Sequence, residues 1–530
     1  MKALLASCLI VLTAATQSVS SAVNSTYTNP ILPGWHSDPS CIFVPELGNT
    51  TFCTTSTFIL FPGIPIYASK DLLNWKLVSN VLNRPTQIPG LAYAPRQRDG
   101  HFAATLRYRQ GVFYIVVPFV SGYPPNKSVT NHIFSSRNPD PITFPLQTID
   151  PDLFWDDDGQ SYVIYPGVEP GFWVATLNLE TGEMGNSTEI WPGDGYPYPE
   201  GPHMYRKDGY YYLSVAEGGT ELGHLQSMAR SRNLLGPYES YPDNPIQTNR
   251  NTTNYFQAVG HCDLFQDASQ NWWGVALTTR SGPTWDVFPS VTNDSIVYKA
   301  NSTFPMGREM VLFPVTWKQG EWPVMGRVRG LMSGWPLPPL TRDLPGDGAF
   351  VKDQDSIDFA LASAIPKHLA YWRTPDPTSY VVSPEGHPNT LQLKSSTANL
   401  TASPSFNGSQ GLTLIMRRQT DTLFTYSVDI SFNPQAVEEE AGVTVFLTQP
   451  QHIDLGIVLL PGSGKYQTPR LHFRFRAISE NATLPGTTIT PVPRDCIPMG
   501  SAPAHIVTYG TGQYTGMSSL VSTSNSRHEA

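Results

Sequence analysis

Charge is in short supply in this chain. Asp, Glu, Lys and Arg make up 15% of its 530 residues, against roughly 25% in an ordinary soluble domain. What charge there is sums to −9, and no basic run with interleaved aromatics occurs, so nucleic acid and other polyanions are poor partners and an uncharged substrate fits. Cysteine is scarce as well: there are five, Cys8 among them, and no Cys/His spacing of the kind that holds zinc. Beyond the first residues no apolar run is long enough for a helix to span a membrane. The one short run, Ala3 to Ala15, stands behind Lys2 and ahead of Ser20-Ser21-Ala22, and residues 1–22 read as an export signal. A buried helix is the plainer alternative. Ten Asn-X-Ser/Thr sequons between Asn24 and Asn481 agree with a secreted, extracellular glycoprotein. In an oxidising compartment Cys41 and Cys53, which flank the turn Pro45 to Asn49, could pair across a hairpin; two free thiols remain the other reading.

Aromatic residues and proline are plentiful instead, with 24 Phe, 24 Tyr, 12 Trp and 49 Pro. Such a composition suits short strands joined by turns. Without the leader about 500 residues remain, too many for one ordinary core, so two domains are expected.

The most informative feature is a repeat. A turn with Gly or Asn followed by an aromatic-rich strand occurs at Gly48-Asn49, Gly111, Gly159, Gly209 and Asn271, at intervals of 63, 48, 50 and 62 residues. A second signature, Ser-Lys/Arg-Asp/Asn, follows at Ser69, Ser136 and Ser231. Short strands with regular turns, repeated at the length of a four-stranded sheet, predict an all-β fold with a five-bladed β-propeller. A β-sandwich would give short strands without the repeat.

Ahead of each turn, at nearly one phase, stands an unusual residue. Asp38, Phe102, Asp150, Glu200 and His261 precede their turns by nine or ten positions. If each following strand is the innermost of its blade, these five residues converge at one end of the central channel. Propeller turns attract Asp for bland reasons, and Asp156-Asp157-Asp158 beside Gly159 is read as a solvated turn. A carboxylate ahead of an apolar strand, as in Ile149-Asp150-Pro151, is costly to bury without a role, so three convergent carboxylates point to a functional site.

At these residues the sequence resembles glycoside hydrolase family 43, in its branch of β-xylosidases and α-L-arabinofuranosidases. The match rests on His36-Ser37-Asp38-Pro39-Ser40, Asp150-Pro151-Asp152-Leu153-Phe154, Glu200-Gly201-Pro202-His203, Glu217-Gly218-Gly219-Thr220, Gly260-His261-Cys262-Asp263 and Gly307-Arg308-Glu309, in that order. The resemblance implies inverting hydrolysis, with Asp38 as general base, Glu200 as general acid, and Asp150 orienting the acid and raising its pKa. It also implies that Phe58, Phe102, Thr220, His261 and Arg308 line a sugar pocket. Alternatives stay open for several of these: His261 as a packed core histidine, Arg308 as partner of Glu309, Phe58 as ordinary packing. No cofactor is required by this chemistry, although some relatives carry calcium on the axis, which His261 would meet through water. Relatives usually have Trp-Ala-Pro where this chain has Phe102-Ala103-Ala104, which leaves the preference between xylose and arabinose open.

After the propeller, expected over residues 23–335, a Pro-rich linker leads to apolar, partly alternating runs near 412–416, 424–430, 443–447, 457–460 and 471–477. The resemblance implies a concanavalin-like β-sandwich there, over 336–495, closing the pocket for exo action on a plant cell-wall oligosaccharide or polysaccharide. Residues 496–530, rich in Ser, Gly and Thr, show little periodicity and are expected to stand apart from the sandwich as an aberrant or disordered tail. The rival activities are an endo-arabinanase sharing the same fold and carboxylates, and a catalytically inactive sugar-binding propeller.

Overall fold

Each of the five repeated turns joins the first two strands of a separate antiparallel sheet. The computed structural model describes residues 24–123, 125–168, 170–280, 290–292, 295–297, 304–401, 412–462, 468–480, 482–493, 504–511 and 517–525; the expected export signal lies outside them. The first strands are β1 (Ser40–Val44), β2 (Thr105–Arg109), β3 (Asp152–Trp155), β4 (Glu200–Lys207) and β5 (Phe256–Gln266). Strands follow one another outward in chain order within each sheet, with one departure: Gly100–His101 pairs with the same neighbour as β2. The Ser-Lys/Arg-Asp/Asn signatures cap the ends of third strands. In the first of them, Asp71 accepts from the backbone N–H groups of Leu73 and Asn74, a local turn built by a side chain.

The first strands form a closed ring: β1 touches β2 and β5, β3 touches β2 and β4, and β4 touches β5. The chain ends of this ring meet through side-chain mimicry of a strand. The Asn29 amide donates to Leu312 O at 2.9 Å and accepts from Leu312 N at 2.9 Å, and Ile31 N donates to Met310 O at 3.0 Å. Apolar side chains fill the spaces between successive sheets, with Phe144, Phe172, Trp273 and Phe313 among the largest that are fully buried. Cys41 and Cys53 are cross-strand partners in the β1 hairpin and are joined in a disulfide.

The second half is also β. An eight-stranded sheet runs in the order Thr488–Pro491, Arg470–Ile478, Gln451–Leu460, Glu439–Thr448, Met517–Asn525, Leu414–Arg417, Leu369–Trp372 and Leu60–Phe61, so its last strand comes from the first half. Leu423–Ile430 pairs separately with Ala504–Thr511. The expectation of an unpaired tail is therefore not met by 504–511 and 517–525. A strand with partners is held by backbone hydrogen bonds, which need no side-chain alternation, and the Thr, Val and Ile of these segments favour extended backbone. Residues 496–503, 512–516 and 526–530 lie outside the described residues.

Candidate active site

Three of the site residues, the carboxylates, stand where ring strands begin, and the fourth, His261, sits within one. Asp38 and Asp150 each lie two residues before their strands, Glu200 opens β4, and His261 follows a bulge in β5. Three of them share an uncommon backbone: φ is 53° at Asp38, 54° at Asp150 and 52° at His261. Asp38 and Asp150 both precede proline, which disfavours the right-handed helical region, and Asp is among the few side chains that tolerate the left-handed one. Strain of this sort persists only where the surroundings over-determine it, commonly at a functional site.

Asp38 is 7% exposed. Ser56 Oγ donates to its Oδ2 at 2.5 Å, while His261 Nδ1 and Arg308 Nη1 stand 3.7 and 3.8 Å from Oδ1. Burial acts to raise its pKa, but His261, Arg308 and hydroxyl bonds from Ser56 and Ser37 outweigh it, and the carboxyl is held below its ordinary range. His261 is itself pushed down to about 4, chiefly by burial. Near neutral pH Arg308 and the hydroxyls therefore keep Asp38 ionised.

The other two carboxyls move the opposite way. Burial raises Glu200 to about 7, the Asp38 charge adding and Arg308 opposing. Asp150 is held well above the ordinary range by burial and then by Glu200 and Asp38, although Gly201 N–H donates to its Oδ2 at 3.3 Å. Among its charged neighbours Asp38 pushes Glu200 upward most, with Glu221 adding, while Arg308 acts against the rise in both Glu200 and Asp150.

Arg308 donates to Ser37 Oγ at 3.2 Å and faces Asp38, whereas Glu309 is paired with Arg280 at 2.5 Å. The alternative of an Arg308–Glu309 pair is thus corrected: the Glu309 carboxylate is taken up by Arg280 and by Gly34 N. Phe58 and Phe102 make a continuous aromatic wall with Trp35, with ring centroids 4.9 Å (Phe58–Phe102) and 5.6 Å (Trp35–Phe58) apart. Two backbone bonds between Phe58 and His101 fix it, at 2.8 and 2.9 Å. Thr220 lies in the turn after Tyr210–Glu217, the same connection that delivers His224.

Two features escaped the sequence reading. His224, fully buried, has Nε2 3.8 Å from Glu200 Oε1. The strand that follows it, Leu225–Ser231, is mostly polar, so the sequence carried no signal for it. Beneath the site, each ring strand contributes one polar residue to a second layer. Arg107 on β2 donates to Asp152 on β3 at 2.6 Å, to Asp263 on β5 at 3.2 Å and to Ser40 on β1 at 3.2 Å, and lies 3.1 Å from His203 Nδ1 on β4. Here a guanidinium already satisfies the axial carboxylates. Calcium takes six to eight oxygen ligands, and among the described residues no group of three or more His, Cys, Asp or Glu is placed to hold a metal. These residues do not fit a protein-ligated cation.

Buried carboxyls with pKa values driven apart, at the starts of the ring strands and beside an aromatic wall that Arg308 meets through Trp35, suit acid/base work on a sugar. The chain belongs to the glycosyl hydrolases family 43, whose model matches residues 27–323, and it is a glycosidase. The model for the β-xylosidase C-terminal concanavalin A-like domain matches residues 356–480. The chain is 32% identical over 449 residues to a non-reducing end α-L-arabinofuranosidase from Bacteroides ovatus, covering 82% of this chain and 76% of that one. It is 32% identical over 457 residues to a xylosidase/arabinosidase from Butyrivibrio fibrisolvens, covering 81% and 79%. In fold it is similar to the solved structure of a xylan β-1,4-xylosidase from Bacillus halodurans C-125, with TM-score 0.71 at 24% identity over 94% of this chain and 96% of that one.

Proposed function

We propose that this glycosidase is exo-acting and releases terminal xylose or arabinofuranose from xylan- or arabinoxylan-type oligosaccharides of plant cell walls, by single displacement with inversion. Asp38, ionised, takes a proton from water as the water oxygen bonds to the anomeric carbon. Glu200, protonated, gives its proton to the departing glycosidic oxygen, and Asp150 with Gly201 N–H fixes the acid strand. Phe58, Phe102, Thr220, His261 and Arg308 line the sugar pocket. No metal or organic cofactor is needed for these steps.

The observation that carries this reading is the opposed displacement of Asp38 and Glu200 within one buried cluster. An inverting enzyme needs one carboxylate and one carboxylic acid at the same pH. Xylose and arabinofuranose come from the names of the relatives, which include both. Exo action is supported by the second half of the chain, which abuts the loops around the site. Tyr371 and Trp372 pair with Phe61 and Leu60, and Arg373 donates to Ala94 O and Gln449 Oε1, each at 2.7 Å. We read the five sheets as propeller blades and the second half as a concanavalin-like sandwich. We also read the chain as a secreted glycoprotein, on its leader, its sequons and its disulfide.

A panel of aryl β-xyloside, aryl α-arabinofuranoside and linear arabinan tests the proposal. Release of monomeric pentose from at least one aryl glycoside is expected. Oligomeric products from arabinan with no aryl-glycoside cleavage would mean an endo-arabinanase, and binding without turnover would mean a sugar-binding module.

A further inference from the structure

The second half of the chain reaches the general-base segment through one chain of hydrogen bonds. Arg418 follows the strand Leu414–Arg417 of the eight-stranded sheet, and its Nη1 donates to Tyr67 Oη at 2.7 Å. Tyr67 lies on Gly63–Ser69 in the first sheet, and its hydroxyl is 3.0 Å from His36 Nε2. The other ring nitrogen of His36, Nδ1, is 3.3 Å from Gly34 O. A carbonyl only accepts, so Nδ1 carries the proton and Nε2 accepts from the Tyr67 hydroxyl. Every donor then points one way, from Arg418 through Tyr67 and His36 to the backbone at Gly34. Burial, with the Arg418 charge second, keeps His36 neutral as this direction requires.

Gly34 to Asp38 is the turn that presents the base, and it is held at several other points from within the first half. Gly34 N donates to Glu309 Oε1 at 2.9 Å, His36 N to Arg308 O at 2.8 Å and Ser56 N to Ser37 O at 2.9 Å. The second half adds contact at the same place. Gly34, at φ +84°, lies so close to Gln419 that a Cβ there would stand 2.0 Å from its carbonyl oxygen. His36 and Tyr67 are 1% and 3% exposed, so little solvent competes for their bonds.

We infer that Arg418, Tyr67 and His36 are positioning residues through which the C-terminal domain holds the Asp38 turn in its strained, water-activating geometry. The inference rests on Asp38 being the general base. It gives the domain a task beyond closing the pocket: without it, Asp38 has the same neighbours but a looser backbone, and a carboxylate at φ 53° has a less crowded alternative to relax into.

Tyr67→Phe removes one oxygen and little volume, and Arg418→Met removes the donor that starts the chain; both are made in the full-length enzyme. On both an aryl pentoside and an unactivated disaccharide, kcat is expected to fall about 10-fold, part of the roughly 10²–10⁴-fold that a general base supplies, with KM nearly unchanged. The acid limb of the pH profile should move upward, because Asp38 loses some of the fixed contact with Ser56, Ser37 and Arg308 that opposes burial and the nearby Asp150 and Glu200. Arg418→Lys keeps a cationic donor and should recover most of the rate. Loss of packing alone would lower the melting temperature without moving the acid limb. Wild-type kcat and an unmoved acid limb in Tyr67→Phe and Arg418→Met, beside an inactive Asp38→Asn, would overturn this inference while leaving the base assignment standing. An active Asp38→Asn would overturn the base assignment, and this inference with it.

Discussion

At the scale of single residues, two carboxyls in one pocket are driven apart by what touches them. Asp38 has a hydroxyl at 2.5 Å and a guanidinium at 3.8 Å, while Glu200 has an uncharged histidine at 3.8 Å and its pKa near 7. Glu200→Gln should therefore nearly abolish cleavage of an unactivated disaccharide and spare much of the rate on a substrate whose phenolate leaves unaided. Asp38→Asn should depress both alike, since water needs activation whatever departs. Comparing kcat for the two substrates in each variant checks the assignment, and the reverse pattern would exchange the roles. The same displacement has a stability consequence. A carboxyl whose folded pKa is raised stabilises the fold below its unfolded value and loses that contribution as pH rises through the folded value. Between pH 4.5 and about 7 the wild type should lose stability relative to Glu200→Gln, by about 1–3 kcal/mol. Melting curves of the two proteins should coincide near pH 4 and separate at pH 8 with the variant higher. Over the same range kcat/KM of the wild type should fall as Glu200 ionises.

At the scale of elements, the repeat was legible because each of the five sheets begins with a hairpin whose turn carries Gly or Asn, and because Asp38, Phe102, Asp150, Glu200 and His261 stand nine or ten positions ahead of those turns. What lies between elements was not legible. Arg107 touches groups on four other strands and His224 approaches Glu200 from a turn of the same sheet, and no spacing along the chain encodes such contacts. The strands within 504–525 were missed for a related reason, because alternation marks a half-buried strand and is weak where backbone pairing does the holding. Gly201 shows how tightly the elements fit. Its φ is +55°, and a Cβ there would come within 2.7 Å of the His261 ring. Gly201→Ala should destabilise the protein by about 1–3 kcal/mol and lower kcat more than it raises KM, because the N–H on Asp150 and the His261 ring both shift. Steady-state kinetics with a thermal melt would show it, and an unchanged kcat would mean that the acid strand tolerates the displacement.

At the scale of the whole molecule, two layers share the ring: the reactive carboxyls at the starts of its strands, and further along them Ser40, Arg107, Asp152, His203 and Asp263, one from each sheet. The second layer ties the ring together by charge where apolar packing ties it between sheets. Arg107→Met should cost about 3–5 kcal/mol by leaving two buried carboxylates without their cation, and the loss should be smaller at low pH, where they protonate; a melting temperature equal to wild type at pH 7 would contradict it. The low overall charge and aromatic wall fit a neutral sugar, and the second domain, which pairs with Leu60 and Phe61 just after Phe58, fits the removal of end units. All of this depends on water attacking the anomeric carbon from the face opposite the leaving group. Proton NMR during the first minutes of hydrolysis of whichever pentoside is cleaved fastest tests that directly, before the released sugar mutarotates. The account predicts that the first anomer seen has the configuration opposite to the substrate's, α-xylose from a β-xyloside or β-arabinofuranose from an α-arabinofuranoside; first appearance of the retained anomer would contradict it.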